Sequence, residues 1–273
     1  MKVERKEPKL SVISYRDMNE FYSYLCDTPF NEAFRWETHK SVANDEAFTG
    51  TKSFEEAVEL MKNGWQDMAR NLTNKLKAVE KDVTVMTRRK TVYDVAGYQC
   101  SVPRFLQGLP NSMVRTTNVP VKQKVITVVK NISYNSGVGK QEIIEESVKA
   151  MAVVKKLEAQ GYRVNVDIIL GTSTGMGTTE ERNFGVKVRV KGANERLNVS
   201  KLAFPLVNPS MLRRLMFRWI EVYPEVTKRF VHGYGRPWGN SDALKVLGEN
   251  EYLIPAIMNV KVENIRGMED LLK

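Results

Sequence analysis

The feature that most constrains this chain runs from Val125 to Leu170. A nearly continuous apolar stretch, VITVVKNI, passes through the small-residue loop SYNSGVGK into a long amphipathic segment, then into a second apolar stretch, YRVNVDIIL. β-Branched residues without polar alternation predict a central strand covered on both faces. From about Gln141 to Gln160, Ile144, Val148, Met151 and Leu157 fall on one helical stripe. Acidic residues at 142, 145 and 146 open that helix, Lys155 and Lys156 close it and Gly161 stops it, in accord with the helix dipole. Strand, helix and strand in this order are the signature of an α/β domain.

The pattern continues to the C-terminus. GTSTGMGTTEERNFG is a loop of small and hydroxyl residues leading into VKVRV. With no helix between the strands, an antiparallel hairpin at a sheet edge is expected, with Lys187, Arg189 and Lys191 on one face. A helix is expected over about Pro209 to Val222, its core stripe Leu212, Leu215, Met216 and Trp219, with Arg213, Arg214 and Arg218 outside it. YLIPAIMNV reads as a last strand and residues 264–272 as a closing helix.

Upstream the periodicity differs. Residues 1–118 read as a mainly helical and irregular N-terminal region, followed through NVPVKQK by the α/β domain at 121–273. SFEEAVELMKNGW is its clearest element: Ser53 and Glu56 form a capping box, Phe54, Ala57, Val58 and Met61 recur at helical spacing, and Gly64 suits the stop. The pattern resumes through Trp65, Met68, Leu72 and Leu76, which predicts a helix pair or one kinked helix. VYDVAGYQCSVPRFLQGLPNSMV mixes prolines and glycines with apolar residues, as a loop packed across a neighbouring domain would.

Composition excludes several classes. The charged N-terminus MKVERKEPKL has no apolar leader, and no apolar run approaches the roughly 18 residues of a membrane span. Two cysteines, Cys26 and Cys100, are expected as reduced thiols of a soluble cytoplasmic protein, and with only His39 and His232 beside them a zinc site lacks material. No Gly-x-Ser-x-Gly elbow or HExxH motif is present, and the carboxylate pairs Glu145/Glu146 and Glu180/Glu181 lack a His or Lys companion, so no catalytic residue is assigned.

The formal charge is +10 and unevenly placed. Residues 1–120 hold 18 Lys and Arg against 16 Asp and Glu, whereas 182–236 hold 12 against 3, a net of +9. A basic surface built from Lys187, Arg189, Lys191, Arg213, Arg214 and Arg218 would meet phosphates, and His232, Tyr234, Arg236 and Trp238 of HGYGRPW would offer stacking groups to the bases of RNA or single-stranded DNA. The alternatives are a solvated face and a packed Gly-aromatic turn.

The loop at 131–140 has three readings. A P-loop needs G-x-x-x-x-G-K-[ST]; Gly139 and Lys140 fit its end, but Tyr134 replaces the first glycine and Gln141 the hydroxyl, leaving a divergent nucleotide binder that uses the helix amides. The second reading is by resemblance. VITVVKNIS, IIEESVKAMAVVKKLEAQG and YRVNVDIILG resemble the first βαβ unit of von Willebrand factor A-type (vWA) domains in cobalt-chelatase and Ro/TROVE-type proteins, over a little more than half the chain. That resemblance implies a three-layer Rossmann-type sheet with helices on both faces, and a D-x-S-x-S metal loop falling on Asn131, Ser133 and Asn135. Leading Asp and second Ser are both Asn here, and neither the Thr expected near Ala193-Asn194-Glu195 nor the Asp expected near VHGYG is present. Neutral amides and one hydroxyl leave too little charge for a divalent ion, so no metal and no cofactor are expected. The third reading is a strand-to-helix turn.

FTGTKSFEEAVELMKNGW and the VDIILG to LRRLMFRWIE spacing are also similar to bacteriophage-encoded proteins of unknown function, which implies the host cytoplasm. Together these features lead to the expectation of a non-catalytic binding or assembly protein with a protein partner. Its site is expected in the crevice outside the strand ends, at Asn131, Ser133, Asn135, Ser136 and Lys140. Nucleic-acid binding through residues 182–238 is the alternative from a different class.

Overall fold

The computed structural model describes residues 2–7, 9–30, 40–79, 89–118, 124–175, 181–229 and 233–256. Its strands are β1 (Lys2–Glu7), β2 (Leu10–Tyr15), β3 (Arg89–Asp94), β4 (Gln99–Cys100), β5 (Met113–Asn118), β6 (Val125–Asn131), β7 (Arg163–Thr174), β8 (Arg182–Lys191), β9 (Arg236–Pro237) and β10 (Glu251–Ile254). Its α-helices are α1 (Met18–Asp27), α2 (Glu46–Thr49), α3 (Phe54–Asn63), α4 (Gln66–Val79), α5 (Val102–Leu106), α6 (Lys140–Ala159), α7 (Val199–Val207), α8 (Phe217–Val222), α9 (Pro224–Thr227) and α10 (Asn240–Lys245), with a π-helical segment, Met211–Met216, leading into α8.

The principal sheet has the order β1-β2-β8-β7-β6-β10, with β9 also paired to β7. β10, β6 and β7 run parallel, β8 is antiparallel to β7, β2 lies parallel to β8, and β1 is antiparallel to β2. The β6-α6-β7 unit and the antiparallel β7-β8 pair are as the sequence predicts. β8, however, is not an edge: LSVISY continues the sheet beyond it. The mainly helical reading of residues 1–118 therefore fails at its start, where Leu10, Val12, Ile13 and Tyr15 are all buried in the sheet. That six-residue strand places apolar groups on both faces and so lacks the alternation by which it could be recognised.

Helices flank the sheet unequally. α1, α6, α7 and the π–α8 segment cover one face over a large core that includes Ile126, Val128, Val166, Ile168, Val186 and Val188. The opposite face is covered by α10 and the turn before it, where Trp238 and Val246 pack on Leu10, Val12, Val129 and Ile169. α6 is rotated from its expected stripe: Ile143, Ser147, Ala150, Met151, Val154 and Leu157 are buried, while Ile144 and Val148 sit half-buried at the margin of the core.

The predicted helix pair is present as α3 and α4. The Ser53 hydroxyl accepts from the Glu56 amide at 3.1 Å, and Gly64 ends α3 at φ 81°. The 92–114 segment is not packed across a neighbour. It forms a separate three-stranded sheet, β3-β5-β4, carrying α5. β7 runs through Thr174, four residues beyond the expected end, which shortens the loop that follows. The expected closing helix, His39 and His232 lie outside the described residues, as does the end of YLIPAIMNV.

Trp238 explains two glycines. Gly171 and Gly185 face each other across β7 and β8, and the indole lies over both. A Cβ on Gly171 would fall 1.9 Å from Trp238 Cδ2, and one on Gly185 2.7 Å from Cη2. The side chain expected to stack on bases is thus 1% exposed and fills a slot in the sheet. Gly171→Ala should lower the unfolding free energy by about 1–3 kcal/mol through overpacking, read by urea denaturation. Gly248→Ala, whose Cβ would meet nothing nearer than 3.5 Å, is the near-neutral control; equal stability of the two variants would remove Trp238 from this slot.

Candidate functional site

β6 ends at Asn131, but β7 continues to Thr174. Past Ile169 the neighbour of β7 is no longer β6 but the two residues of β9, which pair with Thr172 and Ser173. The chain leaving β6 turns away through residues 132–139 towards α6, and a cavity of 560 Å³ opens at this divergence. Its apolar walls include Phe48, Leu170, Leu212, Phe217, Ile220 and Pro237, and Asn135, Ser136 and Lys40 add polar groups. It lies at the carboxyl ends of β6 and β7, where open α/β sheets leave a crevice.

The predicted crevice residues divide at this point. Asn135 and Ser136 line the cavity; Asn131 and Ser133 are fully buried behind it. The Asn131 Oδ1 accepts from the Ser133 amide at 3.0 Å, and the Ser133 hydroxyl accepts from the Gly171 amide at 2.9 Å, so this pair latches the loop to β7. Asn135 Oδ1 accepts from the Gly137 amide at 2.6 Å. The positions where the resemblance would put a metal loop are therefore neutral, and their side-chain oxygens are already engaged by backbone amides, which does not fit a divalent ion. Ala193–Glu195 cannot complete it: the Ala193 amide donates to Asn165 near the start of β7, at the other end of that strand.

The phosphate cradle is likewise engaged. The Gly139 amide donates to Glu142 Oε2 at 3.3 Å, which puts a carboxylate at the start of α6, and Gly137 is held by Asn135. Lys140 is exposed, with Nζ 5.9 Å from the Trp65 ring centroid.

The expected basic surface is largely internal. Arg213 is 5% exposed and donates to the carbonyls of Phe48 at 2.8 Å and Val138 at 3.1 Å. Arg214 is fully buried and donates to the Thr51 hydroxyl and carbonyl, both at 2.7 Å, and to the carbonyls of Ser41 and Ala43 at 3.0 and 3.1 Å. Arg218 donates to Thr28 O at 3.2 Å and Leu25 O at 3.4 Å and lies over the Phe30 ring. Burial pushes all three guanidinium groups below their ordinary range. The helix carrying them is amphipathic as predicted, but its polar face meets backbone carbonyls of residues 25–51 instead of water.

The β8 cations are also committed. Lys187 pairs with Glu251 at 2.8 Å, Arg189 with Asp167 at 2.9 Å, and the buried Lys191 with Glu158 at 2.6 Å. Tyr234, on the cavity wall, stacks on Phe217 with centroids 3.9 Å apart. Its hydroxyl accepts from the Lys40 amide at 2.8 Å and donates to Glu221 at 2.6 Å. Glu221 also accepts from the Ser41 amide at 3.1 Å and from the Ser41 hydroxyl, and burial pushes its carboxyl above the ordinary range against the pull of these donors. Of Tyr234, Arg236 and Trp238, only Arg236 is well exposed; His232 lies outside the described residues.

Residues 3–273 match the family model described as a domain of unknown function, DUF7192. The chain belongs to that family. No curated protein and no solved structure matches it. Among the described residues of this DUF7192 chain, no group of three His, Cys, Asp or Glu could hold a metal ion, and no helix is long and apolar enough to cross a membrane.

The structure adds residues the sequence reading missed. Leu212, Phe217 and Ile220 belong to the cavity, and Glu221 ties its wall to residues 40–41. The available signal was Glu221 itself, a carboxylate set between Ile220 and Val222 on a segment rich in buried apolar residues. Arg214→Ala should cost about 3 kcal/mol or more, because four hydrogen bonds are lost together in a buried setting. Arg236→Ala should stay within about 0.5 kcal/mol. Thermal or urea unfolding of the two variants compares them, and a neutral Arg214→Ala would refute the internal role.

Proposed function

We propose that this DUF7192 chain is a non-catalytic binding or assembly protein on a degenerate vWA-like shell, which takes an apolar group of a protein partner into the β6/β7 crevice. The observation that carries the reading is the cavity, with its hydrophobic walls, polar rim and place at the strand ends. The β6-α6-β7 unit with an antiparallel third strand supports the vWA-like part; the pairing of β2 outside β8 departs from an edge position for that strand. The loop contributes shape and hydrogen bonding, and the charge that metal-dependent vWA recognition needs is missing from Asn131, Ser133 and Asn135.

An uncharged environment-sensitive dye such as Nile red serves as probe. One site per chain is expected, with affinity reduced at least about tenfold by Ser136→Trp, which places an indole at the cavity wall, while the melting temperature stays unchanged. Dye binding that is indifferent to Ser136→Trp and to Phe48→Ala would place the apolar site elsewhere.

A second reading, nucleic-acid binding, is favoured by one observation. Lys9, Arg182, Lys228 and Arg229, with Ser11, Asn183, Phe184 and Glu225, line a second cavity of 440 Å³ near the paired ends of β7 and β8. On this reading the polyanion surface is this cluster and not the arginines of the π–α8 segment. A labelled single-stranded oligonucleotide should bind with a steep salt dependence and lose roughly tenfold or more in affinity on combined Arg182→Glu and Lys228→Glu substitution. Undiminished binding by that variant, or none to the parent at low salt, would defeat the reading.

A further inference from the structure

Between Thr91 and Thr116 no side chain is buried, although the backbone there forms β3, β5, β4 and α5. The segment is internally well tied. Asp94 pairs with Arg115 at 3.2 Å, and Arg104 donates to Asn111 while lying 4.5 Å from the Tyr93 ring centroid. Among the described residues, none of its elements packs broadly on the main sheet or its helices. A small sheet holds its order through a hydrophobic face or helix packing, and this one leaves every apolar side chain between 91 and 116 unburied. This arm exposes Tyr93, Val95, Tyr98, Val102, Phe105, Leu106 and Leu109, most of the large exposed apolar side chains of the described chain. Exposed apolar side chains concentrated in one segment in this way mark an interaction site.

We infer that the arm is a self-association surface, covered by the same arm of a second copy of this chain. Two observations select that occupant. The first is area: seven side chains of this size expose on the order of 700 Å² per copy, close to the roughly 800 Å² per partner of a stable interface. Homodimer interfaces are the apolar class. The second is the outer edge of β3, which carries no strand among the described residues. Antiparallel pairing of two such edges is self-complementary under a two-fold axis, and it covers both patches at once.

Sedimentation velocity of the full chain over a hundredfold range of concentration tests this. The expected result is a concentration-dependent species of twice the chain mass. Phe105→Asp combined with Leu106→Asp should weaken its formation at least about thirtyfold. These side chains are 64% and 78% exposed, and the melting temperature of the variant shows whether the fold is retained. Thiol labelling gives a second readout. Cys100 in β4 and Cys26 in α1 are both exposed in the single chain. Labelling of Cys100 should slow as the dimer forms while that of Cys26 does not, and the double variant should abolish the difference. A parent that stays monomeric across the range overturns the proposal, whether its arm is bare, covered by another part of the chain or captured by lipid vesicles. A double variant that dimerises as the parent does also overturns it.

Discussion

Three arginines on one helical segment hold the two halves of this chain together, and much of the rest of the structure depends on them. Arg213, Arg214 and Arg218 all point into protein, and their acceptors are mainly carbonyl oxygens of residues 25–51 and 138. A guanidinium offers five donors in a fixed plane, so one side chain can satisfy several carbonyls that no regular ladder would reach. This matters because residues 40–53 are mostly turn and short helix, whose backbone would otherwise be buried without partners. The π-helical segment is buried at every residue from Met211 to Met216. It serves two neighbours at once: Leu212 faces the cavity while Arg213 and Arg214 engage the N-terminal region.

The same interaction sets the crevice. Arg213 reaches Phe48 on one side and Val138 on the other, so one side chain fixes both the α2 wall and the end of the loop after β6. Across the cavity, Glu221 and Tyr234 bind Lys40 and Ser41 through their backbone amides. The N-terminal segment therefore contributes walls to a site whose floor is the sheet. A cavity bounded in this way is preorganised, since its lining residues are held by hydrogen bonds behind them and not by the ligand.

Much of the α/β part is legible in the sequence because burial on both faces leaves a long apolar run and because the helix between obeys the dipole rule. β6, α6, β7 and the antiparallel β8 follow from VITVVKNI, the EIIEESV to VVKKLEAQG helix and VKVRV. What the sequence hides is long-range. Nothing local in LRRLMFRWIE distinguishes an arginine facing water from one facing carbonyls, since the amphipathic pattern is the same and only the partner differs. Similarly, Gly171, Gly185 and Trp238 have no common local signature; they meet because β9 brings the indole over two facing glycines. A cavity does lie at the strand ends, lined by Asn135 and Ser136. Asn131 and Ser133 keep the loop's polar pattern while turning it inward.

The crevice and the arm differ in kind. The crevice is apolar but rigidly framed from behind, which suits the recognition of a small, defined group. The arm is apolar and unframed, with aromatic and aliphatic groups displayed on thin secondary structure that buries none of them. Covering this apolar surface would add stability to the small sheet, whereas the principal sheet has its own core on both faces. A chain that holds Arg214 by four buried hydrogen bonds at its centre and leaves Phe105 and Leu106 exposed on the arm is stabilised separately in its two parts. Changes on the arm should therefore alter association with little effect on the main fold, because widely separated sites without shared contacts contribute independently.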